Sequence, residues 1–246
     1  MSERASLLQL DGRLAVAIPQ LVCEGEREGW PYLAMTRLEG ALGSEAWPRL
    51  SEDQKEDVLT QIGETIAEVL QAPLGELANF EPRWEKFLLG QIAACRDRHE
   101  RLGLPKKYLP ELDGLLREAA TRIPMNAPPV ILTGEYIPEN LLLTEYSQGW
   151  RLSGLIDFGD VMTGWGEYDL LGPSAFMTGG RPRRVRNLLR GFGYSNADMN
   201  PELTRRLLTL LLLHRASDPI GHICIRGWQE KTESLDALRR LLWPVP

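Results

Sequence analysis

The stretch VILTGEYIPENLLLTEYSQGWRLSGLIDFGDVMTGWGEYD, residues 130–169, decides the fold and carries the strongest functional signal in the chain. Val130–Leu132 is an apolar run of strand length, and the run resumes at residues 141–143 after a polar interruption. Gln148-Gly149 is typical of a turn, and residues 150–156 then predict a returning strand. We therefore expect a hairpin that carries polar loops at one end.

Both loops of the expected hairpin are rich in side-chain oxygen atoms. Glu135, Glu139 and Asn140 lie in the first loop, and Asp157 and Asp160 lie in the second. Hard cations such as Mg²⁺ prefer oxygen ligands of this kind, and rigid strands would bring the two loops together. The pattern predicts a magnesium site at this end of the hairpin.

The composition of the chain narrows the class of protein. The 246 residues are 43% hydrophobic and 25% charged, proportions that are ordinary for a soluble globular protein. A net charge of -6 argues against a general nucleic-acid binder. The 3 cysteines are scattered and form no CxxC, which disfavours a disulfide framework and a zinc site. The N-terminus lacks a signal-peptide pattern and no apolar run could cross a bilayer, so we expect a cytoplasmic protein.

The remaining chain is predicted to be mainly helical. Ser51 and Gln54 form a capping-box pattern, and apolar residues then recur every three or four positions until Pro73. Apolar periodicity predicts further helices over residues 3–10, 82–102, 109–123, 183–192, 201–215 and 227–242. Two strands, residues 21–24 and 30–36, are expected to form a small hairpin joined by a charged turn at residues 25–29.

Three motifs in this order resemble the aminoglycoside phosphotransferase and choline kinase family. The segment TGEYIPENLL, residues 133–142, is similar to the family's catalytic loop, which reads HGD, four residues and Asn. IDFGD at residues 156–160 and GEYDLL at residues 166–171 are similar to the two following motifs. WPYLAMTRLEG, residues 30–40, looks like the family's hinge segment, and the resemblance covers the chain from about residue 18.

The resemblance implies an α+β, protein-kinase-like fold. A reduced β-containing N-lobe, residues 1–38, would end in the hinge, and a large helical C-lobe, residues 39–246, would carry the catalytic loop 133–140 and the DFG-like loop 157–160. The family's Gly-rich loop is not found before the hinge. Its phosphate-binding lysine is not found either, since no lysine precedes the hinge. We therefore expect a truncated N-lobe.

The resemblance also assigns roles to the acidic loops. Asn140 and Asp157 are expected to hold the Mg²⁺ that bridges the phosphates of ATP, and Glu135 takes the place of the catalytic base. Asp160 is expected to face the substrate. Asp169 is expected to be structural and to accept backbone N–H groups of the catalytic loop. The alternative for Asn140 and Asp157 is a pair of turn-capping side chains.

Adenine is expected to bind at the hinge. The positions that the resemblance places around the base are backbone groups of the hinge and two apolar side chains beneath it, namely Met35, Thr36, Arg37 and Leu38 in the hinge and Leu142 and Ile156 in the floor. Side-chain identity matters little at the hinge, because the contacts there are made by the main chain.

Two residues of the catalytic loop depart from the family pattern. Glu135 stands where the family has Asp, and Thr133 stands where it has His. The extra methylene of Glu135 moves its carboxylate by about 1.5 Å, one C–C bond. Misplacement on that scale can cost ~100-fold in rate. Glu135 is therefore either a displaced base or only a structural acceptor in the loop.

The sequence thus predicts an ATP-dependent phosphotransferase that acts on a hydroxyl of a small acceptor, either neutral or cationic, with weak or lost activity. The alternative is a catalytically inactive, pseudokinase-like protein that binds a ligand or a partner in the same cleft. In a third arrangement, the exposed edge of the hairpin at residues 21–36 pairs with a second copy in a homodimer that covers the open N-lobe. Neither nucleic acid nor a membrane is an expected partner.

Overall fold

The computed structural model describes residues 2–245, and within them helices dominate over three small antiparallel sheets. The α-helices are α1 Ser2–Leu10, α2 Gly43–Ala46, α3 Glu52–Gln71, α4 Trp84–Arg101, α5 Leu109–Arg122, α6 Leu171–Phe176, α7 Pro182–Gly191, α8 Pro201–Leu213, α9 Pro219–His222, α10 Trp228–Lys231 and α11 Leu235–Leu242. The strands are β1 Leu21–Arg27, β2 Trp30–Met35, β3 Ala41–Leu42, β4 Val130–Leu132, β5 Leu141–Tyr146, β6 Gly149–Leu155 and β7 Met162–Gly164. None of the helices in this part of the chain is both long and apolar enough to span a membrane.

The N-terminal hairpin is longer and its turn tighter than the sequence predicts. Strand β1 continues to Arg27, so only Glu28 and Gly29 remain in the turn. Both residues have positive φ, 55° and 82°. Two positive φ values in a two-residue loop are typical of a type I′ turn, whose twist matches that of the strands. The predicted five-residue turn was wrong because the charged residues before Glu28 pair as strand.

The central segment forms two separate strand pairs rather than one hairpin. β5 pairs with β6, with Leu141 opposite Leu155, whereas β4 pairs with β7, with Val130 opposite Gly164. The expectation that residues 141–143 resume the strand begun at Val130 was therefore wrong. A one-turn helix at Pro138–Asn140 redirects the chain between β4 and β5. Strand β7 has only three residues, too few for an alternation pattern to reveal it.

Backbone hydrogen bonds join the N-terminal segment to the central sheet. The Ala17 N–H donates to the Ser153 carbonyl at 3.1 Å, and the Leu155 N–H donates to the Ala17 carbonyl at 3.0 Å. Further along the chain, β3 adds to the same sheet through Leu42, which lies opposite Leu142. The division of the chain at residue 38 stays a prediction.

Helix α3 begins and packs as its sequence predicts. The Gln54 N–H donates to Ser51 Oγ at 3.3 Å, and the Ser51 N–H donates to Gln54 Oε1 at 2.9 Å, so the capping box is confirmed. Its glycine, Gly63, lets helix α7 approach closely, because a Cβ there would lie 2.3 Å from the Leu188 carbonyl oxygen. The apolar face of α3 is buried in the core, except that Leu70 near its end is half-buried.

The C-terminal helix predicted over residues 227–242 is in fact two helices. Thr232 is extended, and its hydroxyl donates to the Trp228 carbonyl at 2.9 Å, which ends α10. Ser234 then caps α11 by accepting the Ala237 N–H at 2.9 Å. Short hydroxyl side chains compete with the helix for its own backbone groups, and here they separate the two helices. The other long helices end within two residues of their predicted limits.

Candidate active site

The catalytic-loop segment is anchored by a buried carboxylate. Asp169 Oδ2 accepts the Thr133 N–H at 2.9 Å, and its Oδ1 accepts the Gly134 N–H at 2.8 Å. The predicted structural role of Asp169 is therefore confirmed. Burial raises the pKa of Asp169 to about 7, while the donors of Thr133 and Gly134 act in the opposite direction. Gly134 has φ +74°, a region that side chains rarely adopt, so the loop bends sharply just before Glu135.

A tight turn brings Glu135 and Asn140 together. The Ile137 N–H donates to the Glu135 carbonyl at 2.8 Å, and the Asn140 N–H donates to the Ile137 carbonyl at 3.0 Å. Asn140 Nδ2 then lies 3.2 Å from Glu135 Oε2 and donates to it. Burial raises the pKa of Glu135, the neighbouring Asp160 carboxylate raises it further, and the Asn140 amide opposes both.

A backbone hydrogen bond ties the DFG-like loop to this turn. The Ile156 N–H donates to the Asn140 carbonyl at 3.0 Å, which places Asp157 beside the catalytic loop. Asp157 has φ +64°, a left-handed conformation that is uncommon outside glycine and that clusters at functional sites. Its Oδ1 accepts the Gly159 N–H at 3.2 Å. The structure thus brings together Glu135, Asn140 and Asp157.

The free oxygen atoms of this group suit a hard cation. Asn140 uses its nitrogen for Glu135 and Asp157 uses Oδ1 for Gly159, so Asn140 Oδ1 and Asp157 Oδ2 accept no hydrogen bond from residues 2–245. Mg²⁺ is commonly held by one or two carboxylates together with substrate phosphates and water. Within the same residues no group of three or more His, Cys, Asp or Glu could hold a metal by itself. The donor set therefore fits a nucleotide-bound Mg²⁺, and the assignment of both ligands stays a prediction.

Asp160 has a cationic partner that the sequence did not reveal. Arg215 Nη2 donates to the Asp160 carbonyl at 2.7 Å and lies 3.4 Å from the Asp160 carboxylate. The same nitrogen lies 3.3 Å from the point where a Cβ of residue 134 would be. Arg215 follows helix α8 and is 55 residues from Asp160, so no local pattern links the two. The role of Asp160 toward a substrate stays a prediction.

One of the six predicted nucleotide-binding residues, Met35, lines an open cleft. Met35 and Gly159 line a cleft of about 980 Å³ between the N-terminal hairpin, the start of α1 and the DFG-like loop. Leu38 and Leu142 converge over Gly154, where a Cβ would lie 3.0 Å from one side chain and 3.3 Å from the other.

Two of the predicted nucleotide-binding residues already use their backbone N–H groups in hydrogen bonds within the fold. The Thr36 N–H donates to the Gln20 carbonyl at 2.9 Å and is therefore used inside the fold. The Ile156 N–H is used by the catalytic loop, and the Ile156 side chain is half-buried. Arg37 is exposed. The nucleotide-binding roles of these positions stay predictions.

A smaller, apolar pocket has Glu135 in its wall. It has a volume of about 170 Å³ and is walled by the catalytic loop, helix α6 and the segment 211–223. Sequence reasoning missed this pocket, since its walls come from three separate parts of the chain. The sequence signal in the 211–223 wall is the Asp218-Pro219 pair, which is typical of a helix start and indicates the short helix there.

His214 supports the base of the pocket as a neutral side chain. Its ring stacks on Tyr168 with 4.4 Å between centroids, and its Nδ1 accepts the Ala216 N–H at 3.2 Å. Burial lowers the pKa of His214 to about 4, and the nearby Arg215 charge acts in the same direction. The folded protein therefore favours the uncharged ring.

We expect the His214→Gln variant to lose part of the protein's acid sensitivity. Because the pKa of His214 lies below its unfolded value, its contribution to stability is fully present above the unfolded pKa and falls as pH drops toward about 4. In the unaltered protein, the change from about pH 7.5 to about pH 5 should lower the unfolding free energy by about 2 kcal/mol through His214, and the variant should lack this loss. Urea unfolding at about pH 7.5 and about pH 5 measures the effect. Asp169, whose raised pKa has the opposite sign, is present in both proteins and cancels in the comparison. Equal pH slopes for the two proteins would contradict the prediction.

One family model matches most of the chain. The model, described as the phosphotransferase enzyme family, APH, matches residues 1–206. The chain belongs to this family. The resemblance predicted from the three motifs is therefore confirmed. A search of curated proteins gave no significant match.

Solved structures of phosphotransferases share the fold of this family member. The GDP and kanamycin complex of APH(2")-IIia aligns with a TM-score of 0.66 and 22% identity, over 86% of this chain and 74% of that one. ADP-bound aminoglycoside phosphotransferase APH(2'')-Ib aligns with a TM-score of 0.57 and 14% identity, over 98% and 81%. Macrolide 2'-phosphotransferase type I aligns with a TM-score of 0.59 and 17% identity, over 86% and 69%. The predicted α+β, protein-kinase-like fold is confirmed by these structures.

Proposed function

We propose that the protein transfers a phosphoryl group from magnesium-bound ATP to a hydroxyl of a small molecule. The observation that carries the proposal is the meeting of Glu135, Asn140 and Asp157 on two loops that the Ile156–Asn140 hydrogen bond joins. Glu135 lines the apolar pocket, and Gly159 of the same DFG-like loop lines the cleft. The family membership and the nucleotide-bound relatives support a nucleotide donor.

Each residue of the group has a part in the proposed reaction. Asn140 Oδ1 and Asp157 Oδ2 would hold Mg²⁺, which neutralises charge on the transferring phosphoryl group when bound. Glu135 faces the pocket and would orient the acceptor hydroxyl and accept its proton. Asp169 holds the turn that precedes Glu135, so the Glu135 carboxylate is in position before the acceptor binds.

Shortening the base tests whether Glu135 is displaced from its best position. We expect Glu135→Asp to raise kcat, by up to ~100-fold, because the carboxylate would retract by one C–C bond. Glu135→Gln keeps the size but cannot accept the proton, and its kcat should fall by ~100-fold or more. Steady-state rates with MgATP and an acceptor panel, compared with the exposed-site control Glu145→Gln, measure both changes. Equal rates for all four proteins would show that Glu135 is not the base.

The second candidate function is ligand binding without turnover. The longer base at Glu135 and the Arg215 partner of Asp160 favour it. Calorimetric titration with ATP and with GTP, each with and without Mg²⁺, separates the candidates, since a ligand specific to the native state also raises thermal stability. Magnesium-dependent nucleotide binding supports phosphoryl transfer, and binding of neither nucleotide supports the alternative. A cytoplasmic location rests on the sequence alone.

A homodimer through the N-terminal hairpin also belongs to the proposal. Its two-stranded sheet carries large exposed side chains, with Val22 at 65% and Trp30 at 77% exposure. Pairing of this hairpin with a second copy would cover these residues and the strand edge. Light scattering at high protein concentration tests the idea, and a strict monomer would exclude it.

A further inference from the structure

The pocket beside Glu135 is lined mainly by hydrocarbon. Its walls include Ile137 from the catalytic loop, Leu171 and Phe176 from helix α6, and Leu211 and Ile223 from the C-terminal segment. Glu135 and Asp218 are the carboxylates among its lining residues, and His222 packs against Phe176 with 5.2 Å between ring centroids. An apolar lining of this kind binds apolar groups and leaves the few polar groups to set orientation.

The pocket leaves few free partners for a polycationic ligand. Asp218 Oδ1 is used by the fold, because it accepts the Ile220 N–H at 3.1 Å and the Gly221 N–H at 3.0 Å. Asp160, which is not among the lining residues, is already paired with the Arg215 guanidinium. With Glu135 taken up by the acceptor hydroxyl, the second oxygen of Asp218 is the charged partner that the lining leaves for an ammonium group, so a ligand with several ammonium groups would lose hydration against the apolar walls without enough new partners.

The volume of the pocket limits the ligand to about one ring. An apolar protein cavity of about 150 Å³ is large enough to bind benzene. At about 170 Å³ this pocket is therefore matched to a single six-membered ring or a short branched chain. Molecules of several linked rings would extend beyond the pocket mouth, and only one ring could lie inside.

We propose that the acceptor is an alcohol with an apolar, ring-sized body and at most one positive charge. This inference rests on the proposed function and names its substrate class. The body lies in the pocket and the hydroxyl lies at Glu135. The acceptor oxygen forms a new bond to the terminal phosphorus of ATP, and its proton passes to Glu135. The bond from that phosphorus to the bridging oxygen breaks, and ADP leaves with the electron pair.

Binding can be tested without nucleotide, with benzyl alcohol as the apolar probe and kanamycin as the polycationic one. In protein labelled at isoleucine methyl groups, we expect benzyl alcohol to shift the resonances of Ile137 and Ile223, which line the pocket, and to leave buried Ile62 unchanged. Kanamycin should leave all three unchanged. Shifts of the two pocket resonances with kanamycin alone would overturn the proposal.

A blocking variant and its matched control locate the binding site. Ala175 is buried in the pocket wall, so Ala175→Leu should fill the space that the ring needs and weaken benzyl alcohol binding by about 10-fold or more. Ala120→Leu makes the same change at an exposed position of α5 and should leave the affinity unchanged. If Ala175→Leu does not fold, Phe176→Ala removes the ring from the wall and should weaken binding likewise. Unchanged affinity in the folded pocket variant would refute the site.

The ligand class and the phosphotransferase activity can be excluded independently of each other. If benzyl alcohol binds in the pocket but is not turned over with MgATP, the phosphotransferase function is excluded and the ligand class is retained. Turnover of kanamycin in preference to apolar alcohols would keep the phosphotransferase and overturn the ligand class. A panel of benzyl alcohol, cyclohexylmethanol and kanamycin, measured by ADP release, completes the test, and we expect the first two to be preferred at least 10-fold in kcat/KM.

Discussion

Replacing Asp157 by asparagine is expected to abolish magnesium-dependent nucleotide binding and to lower phosphoryl transfer by on the order of 1,000-fold. In the proposed site Asp157 supplies the charged ligand and Asn140 a neutral one, and asparagine at position 157 removes the charge while keeping the shape. Asparagine also tolerates the left-handed φ of +64° at this position better than alanine does. The variant should therefore fold normally and fail only in metal binding.

Two measurements check this prediction. In the unaltered protein, MgATP at a concentration of about 100 times Kd should raise the unfolding free energy by about 2.7 kcal/mol, and this gain should be absent in Asp157→Asn. Asp97→Asn makes the same charge change at an exposed position on helix α4 and should keep the full gain. A magnesium-dependent gain that survives in Asp157→Asn would exclude Asp157 as a ligand.

Replacing Arg206 by methionine is expected to cost about 3–5 kcal/mol of folding stability. Glu167 is buried, with its side chain only 1% exposed, and it accepts hydrogen bonds from Arg206 Nε and Nη2, both at 2.6 Å. The ion pair raises the pKa of Arg206 well above its ordinary value. Methionine fills much of the same space but removes the cationic partner of Glu167. The carboxylate then keeps the hydrogen bond from the Tyr194 hydroxyl, at 2.5 Å, which carries no charge. A buried charge that loses its partner is strongly destabilising.

A second substitution shows whether the lost charge pairing is the cause. Adding Glu167→Gln to Arg206→Met removes the unpaired charge and should recover more than half of the lost stability. Arg240→Met is the control, because Arg240 is 65% exposed in its pair with Asp236 and should cost at most about 1 kcal/mol. Urea unfolding of the four proteins measures these differences. A loss for Arg206→Met no larger than that for Arg240→Met would contradict the prediction.

The helices were the part of the fold that the sequence predicted well. Helix α3 shows why, since its capping box, its apolar spacing and the following Pro73 all indicate the same limits. Local signals failed where single hydroxyl groups intervene, as at Thr232 and Ser234, and where a strand is very short, as at Met162–Gly164. In both places the deciding partner is a backbone group that no periodicity reveals.

The candidate site divides in the same way. The sequence could name the candidates Glu135, Asn140 and Asp157 in advance. They lie in motifs whose spacing is set by residues close to them in the chain. Arg215 could not be named, because it reaches Asp160 from 55 residues away in sequence. The apolar pocket was equally hidden, since hydrophobic residues such as Leu211 carry no local sign that they line a cavity rather than fill the core.

The sequence by itself determined the family, the class of fold and the acidic residues of the two loops, because motif spacing and helix periodicity are local properties of a chain. Only the tertiary structure decided which charges those acids meet and what lies beside them. Asp169 is buried beneath the catalytic loop, Arg215 pairs with Asp160, and an apolar pocket of about 170 Å³ opens at Glu135. Burial and long-range contact set the electrostatic surroundings of a carboxylate, and both arise only when distant segments pack together.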